Sequence, residues 1–179
     1  MSKITITEAL AEVPTIGKRI QKKKELIASC LYRQSVVRDP YERDGGAASL
    51  IVREVQAIGD LEQRLINIRS SIASANQANE ITVNGTTRKI GDWLTWRREV
   101  AEGRKQLYGS LLTALKQMHQ QANQRGLGVK TEDAGFSADY IVNINEAELA
   151  AKAEELETIL GALDGQLSLK NATILIDVP

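Results

Sequence analysis

The sequence predicts a mainly α protein: long antiparallel helices in a coiled-coil-like bundle, with a short β-hairpin and a small C-terminal β element, assembled as an oligomer. Apolar residues recur at helical spacing in four segments, and in three of these the steps alternate between three and four, the spacing of a packed seam. Asn84-Gly85 lies between β-branched residues, and both accept the positive φ of a tight hairpin turn. Helices of about 25 to 30 residues span on the order of 40 Å, longer than a compact globule of 179 residues needs. One chain then leaves apolar stripe uncovered, and self-association is the natural way to bury it.

Taken in order, the first helix is expected over residues 7–34, with Ile16, Ile20, Ile27 and Leu31 on one face. Lys18, Arg19, Lys22, Lys23 and Lys24 form a wet face, and Pro14, lacking an amide N–H, should kink or restart the helix. The stretch from Arg38 to Asp44 alternates charge and ends in Gly45-Gly46, as a connecting loop does. A second helix over 46–74 stacks Ile51, Val55, Ile58, Leu61, Leu65, Ile68 and Ile72. The hairpin follows at 80–88, then a third helix over 90–124 with Trp93, Leu94, Val100, Leu107, Leu111, Leu115 and Met118. A fourth, over 146–169, opens with the capping-box pattern Asn145-Glu146-Ala147-Glu148 and carries Leu149, Ala153, Leu156, Leu160, Leu163 and Leu167. Apolar runs at 141–144 and 173–178 read as strands, paired with each other or with a neighbouring subunit; 126–137 shows no periodicity and reads as a loop. All of 1–179 is expected to form a single helical domain.

Composition narrows the chemistry. With 23 Lys+Arg against 23 Asp+Glu, the net charge is zero, which disfavours general nucleic-acid or membrane-surface binding. No long apolar block suggests a membrane span or a signal peptide. One Cys and one His supply neither a zinc-ligand set nor the usual catalytic triads, and no general acid/base pair stands out, so no catalytic residue, metal or cofactor is expected. Cys30 is expected as a small buried hydrophobe and His119 as an ordinary surface or boundary residue.

Against that scarcity, Arg88, Lys89, Trp93, Trp96, Arg97 and Arg98 stand together at the hairpin exit and helix start. Arginine grips phosphate through two N–H groups and tryptophan offers a face to a base, so this cluster is a candidate ligand site. The plainer reading is a core Trp93, an interface Trp96, and charges that are solvated or paired with Glu99 and Glu102. A second group, Asn76, Asn79, Asn84, Asp164 and Asn171, stands at element ends and would line a pocket if the fold brings it together; capping and turn formation are the plainer roles.

Several stretches, in order along most of the chain, resemble the septicolysin-like family of bacterial and phage proteins. They are Ile6-Thr7-Glu8-Ala9-Leu10 with Lys18-Arg19-Ile20; Asn76-Gln77-Ala78-Asn79; the Asn84-Gly85 hairpin; Ile90-Gly91-Asp92-Trp93-Leu94 with Arg97; Leu163-Asp164 with Gln166-Leu167; and Asn171-Ala172-Thr173. The family's closing motif carries an aromatic where Ala172 stands, so its ring has no counterpart here. The resemblance implies long antiparallel helices around a short hairpin, ring-like homo-oligomers with hexamers among them, and a phage-type member. With the Trp/Arg cluster and a likeness in architecture to small phage sponge proteins, it leads to a non-enzymatic protein of the host bacterial cytoplasm that sequesters a small anionic ligand. The sharpest form of that ligand is a nucleotide-derived immune signal. The alternative expectation is a structural or assembly protein of the phage virion, acting through protein–protein contacts.

Overall fold

The structure is a computed structural model that describes residues 2–131 and 139–178. Its elements run β1 (Ser2–Thr5), α1 (Ile6–Cys30), a 3₁₀ turn (Glu42–Asp44), α2 (Gly46–Ala78), β2 (Glu80–Val83), β3 (Thr86–Lys89), α3 (Ile90–Thr95), a π-helical turn (Trp96–Ala101), α4 (Glu102–Gln124), β4 (Val129–Thr131), β5 (Tyr140–Val142), α5 (Glu146–Thr173) and β6 (Leu175–Val178). The mainly α class is as the periodicity predicts. Where one domain was expected, the chain forms two compact units: Met1–Asn79 with Ser168–Pro179, and Glu80–Leu167.

In the first unit, α1 opens on a complete capping box. Thr5 accepts from the Glu8 amide, and the Glu8 carboxylate accepts from the Thr5 amide in return. Pro14 does not end this helix, which runs unbroken to Cys30 and stops short of Gln34; the hydroxyl of Thr15 donates to the Ala11 carbonyl one turn back. α1 and α2 lie antiparallel, joined by ion pairs between Glu12 and Arg64 and between Lys23 and Glu54, so that numbers rise along one helix as they fall along the other. Their shared core holds Ile6, Ala9, Ile16 and Ile68 together with Ile176 and Val178 of β6. β6 does not pair with the strand at 140–142, as the apolar runs suggested. It pairs antiparallel with β1, Ser2 opposite Val178 through Thr5 opposite Leu175, and alternates inward Ile176 and Val178 with outward Leu175 and Asp177. That alternation is what one buried sheet face requires.

In the second unit, β2 and β3 form the expected hairpin, with Asn84 at φ 47° and Gly85 at φ 75°, both positive as a type I′ turn demands. The helix expected over 90–124 has those outer limits but is interrupted by the π turn. α4 and α5 run antiparallel, joined by Arg97–Asp164, Lys105–Glu157 and His119–Glu146. Asn145 caps α5 by accepting from the amides of Ala147 and Glu148. Leu149, Leu156, Leu163 and Leu167 are buried along α5. β5 pairs in parallel with β4, a strand inside the region read as a loop; residues 132–138 of that region lie outside the described residues.

Two tests follow for the first unit. Ile68 is fully buried, so Ile68→Ala should cost about 2–5 kcal/mol, whereas Thr5→Ala, which removes one cap, should cost about 1 kcal/mol. Urea unfolding of both variants checks the order. The second test uses acid. A hydrogen bond from Arg64 holds the Glu12 carboxyl below its ordinary value of 4.5, against some desolvation and helped by the charges of Arg64 and Arg19. A carboxyl lowered in the folded state stabilises the fold above its ordinary value, and that contribution is lost as pH falls through the lowered one. Glu8, bonded by Thr5, and Asp39, bonded by the Ala47 and Tyr41 amides, act in the same sense. Stability should therefore decline between about pH 5 and pH 3, with a shallower slope in Glu12→Gln; equal slopes would show that the pair contributes nothing.

Candidate functional site: a charged groove beside the hairpin

The second unit's site is built outward from the hairpin. Lys89 keeps an extended backbone, and Ile90 then starts α3, so Ile90 and Trp93 turn inward and are buried. The indole N–H of Trp93 donates to the Ile81 carbonyl of β2 at 3.2 Å, which satisfies the one polar atom of a ring that is only 4% exposed. The Arg88 guanidinium lies 5.2 Å from the Trp93 ring centroid, a cation–π contact, and Trp96 meets Trp93 edge to face at 5.3 Å. Trp93 is thus held inside its own unit and offers no open face to a ligand. Trp96 is half-buried and keeps accessible surface.

The chain then passes through the π turn, where Arg97 and Arg98 lie. π turns are rare and gather at functional positions, and a wider turn offsets the helical faces on either side of it. Arg97 reaches Asp164 on α5 through two N–H groups, at 2.9 and 3.4 Å. Two helical turns on, Lys105 bonds Glu157 at 2.8 Å, and that hydrogen bond and charge raise the lysine above its ordinary value, against slight desolvation. Arg98 pairs with its neighbour Glu99. Arg97, Arg98, Glu102 and Lys105 line one side of a groove of about 490 Å³, and Glu157, Asp164 and the apolar Leu160 of α5 line the other.

The asparagines fall elsewhere. Asn76, Asn79 and Asn171 belong to the first unit, and Asn84 forms the hairpin turn. Asn79 ends α2, its amide N–H and side-chain N–H₂ both donating to the Ala75 carbonyl. The Asn76 Oδ1 is shut away from solvent without a donor. Of that group only Asp164 joins the groove.

Lys105 and Glu157 escaped the sequence reading because the two sides of the groove are some fifty residues apart in the chain, whereas Glu102 was read only as a partner for the cluster's charges. The antiparallel numbering of α4 and α5 is the signal that places them together. His119 is likewise more than a boundary residue, since its Nε2 lies 2.6 Å from Glu146 in the first turn of α5. Cys30 is half-buried at the end of α1, where it was expected to be buried. Among the described residues, no group of three or more His, Cys, Asp or Glu is placed to hold a metal ion, and no helix is long and apolar enough to cross a membrane.

The two tryptophans should separate by stability. Trp93→Ala removes an enclosed ring and leaves a carbonyl without its donor, a loss of about 3–5 kcal/mol, while Trp96→Ala should cost markedly less. Denaturant melts read the difference, and an equal or reversed order would contradict the enclosed placement of Trp93.

No family model matches the chain, and no curated protein matches it. Among solved structures, the fold is similar to the crystal structure of a functionally unknown conserved protein from Corynebacterium diphtheriae. The TM-score is 0.59 at 16% identity, over 98% of this chain and 100% of that one, a likeness of fold alone.

Proposed function

We propose that this chain is a non-enzymatic binding protein that sequesters a small anionic ligand of nucleotide type in the groove between α4 and α5. The observation that carries the reading is the composition of that groove, three cations and three carboxylates around an apolar Leu160. A bare anion gains little where charge is balanced. A molecule with phosphate at one end and hydroxyls or an exocyclic amine at the other meets both signs: Arg97, Arg98 and Lys105 receive the phosphate, and Glu102, Glu157 and Asp164 accept from the donors. The resident pairs are half-exposed, and such pairs contribute little to stability, so phosphate can replace a carboxylate at small cost. Trp96, next to Arg97 in the chain, is the ring available for stacking on a base.

The resemblance to phage-type proteins extends this reading to a nucleotide-derived immune signal held in the host bacterial cytoplasm. A second reading, assembly within a virion, draws on apolar residues left at the surface of α2, where Val52, Val55 and Ile66 are exposed.

A thermal-shift and calorimetric panel of ADP-ribose-type molecules and cyclic dinucleotides tests the first reading. At least one should bind saturably without conversion, and Arg97→Ala should weaken it about tenfold or more, as loss of a charge-assisted bond implies, while Arg19→Ala leaves it unchanged. No binding across the panel would refute the nucleotide reading, and a stoichiometric band of the protein in purified virions would favour assembly.

A further inference from the structure

The seam expected along the third helix is only partly used within the chain. Leu107 and Leu111 are 52% and 36% exposed. Gly103, Leu107, Ser110, Ala114 and Met118 recur at steps of three and four on one side of α4. No charged residue occurs from Gln106 to Leu115, and Lys105 and Lys116 project from the opposite side of the helix. Charge depletion of this kind marks the centre of an interface. The hydroxyls nearby are already satisfied: Ser110 donates to the Leu107 carbonyl and Thr113 to the Gly109 carbonyl, both within α4. A Cβ added to Gly103 would meet nothing within 4 Å among the described residues, so no contact among them requires a glycine there.

We infer that this side of α4 is the contact with a second copy of the chain, the two helices antiparallel about a two-fold axis passing between Ser110 and Leu111. That register is self-complementary in size. Leu107 of each copy faces Ala114 of the other, and Met118 faces Gly103, so each large side chain meets a small one. A parallel register would set leucine against leucine and glycine against glycine. The antiparallel register also opposes the helix dipoles and places Arg104 opposite Gln117, away from other cations.

One further observation agrees. A groove of about 430 Å³ beside Ala114, lined by Leu111, Leu115, Met118 and Tyr140 to Ile144, is open to receive the incoming Leu107. This contact is independent of ligand binding at the charged groove.

Sedimentation velocity at micromolar concentration tests it. The chain should run as a dimer or a larger even-numbered assembly. Leu107→Glu should break the contact while circular dichroism shows helix content unchanged. In a Cys30→Ser background, Ser110→Cys should cross-link under mild oxidation. A monomeric parent chain overturns the inference, as does an assembly that survives Leu107→Glu and yields no cross-link at residue 110.

Discussion

A helix with one apolar stripe can be covered only along its length, and this chain has four helices of 23 to 33 residues and very few aromatics with which to cap a short core. Lengthwise antiparallel pairing is therefore the constraint from which the rest of the architecture derives. α1 lies along α2 and α4 along α5, each pair fastened by cross-helix ion pairs at intervals along its length. The small sheets close what helices cannot. β1 and β6 cover the end of the α1/α2 core with Ile176 and Val178, and the hairpin lays Ile81 and Val83 against the region of Trp93. The same constraint explains why the charged groove exists. Two helices side by side leave a furrow, and its walls take their charges from whatever flanks the leucine seam.

Within the second unit, Trp93 is the hinge between sequence scarcity and site geometry. Its bond to Ile81 fixes the hairpin on α3, its ring anchors Arg88 from one strand and Trp96 from the next turn, and the π turn that follows carries Arg97 toward Asp164. The cations of the cluster divide accordingly. Arg88 spends its charge on an aromatic face, while Arg97 remains in an exchangeable pair at the groove.

The legible parts of the fold were those governed by local rules. Helix periodicity, the Asn84-Gly85 turn and the Asn145 cap depend on residues within a few positions of one another, and each was readable. The β1–β6 pairing was not, because its strands lie at opposite ends of the chain and Ser2–Thr5 is too short to declare itself. Pro14 misled for an energetic reason: its penalty is local, while Ala9 and Ile16 on either side are buried in a core that holds the helix together. For the site, Arg97 and Trp96 were visible as a composition anomaly, but the carboxylate wall from α5 appears only once the antiparallel register is known. Of the asparagines, Asn79 and Asn84 take the local capping and turn roles that their residue type suggests.

That register also gives the zero net charge a meaning beyond absence. Long helices laid side by side bring cations of one against carboxylates of the other, and Arg97–Asp164, Lys105–Glu157, Glu12–Arg64 and Lys23–Glu54 are all of this kind. Where such pairs are more enclosed, as at Glu12 and Lys23, they fix the register of the helices. Where they are half-exposed beside an open furrow, as at Arg97 and Lys105, they hold cationic groups oriented at little energetic commitment. On the proposed reading, a site of that form discriminates against bare anions and against bare cations, since either must break pairs without replacing both partners. On that reading the balance of charge favours a ligand that carries acceptors and donors at the spacing of the two helices.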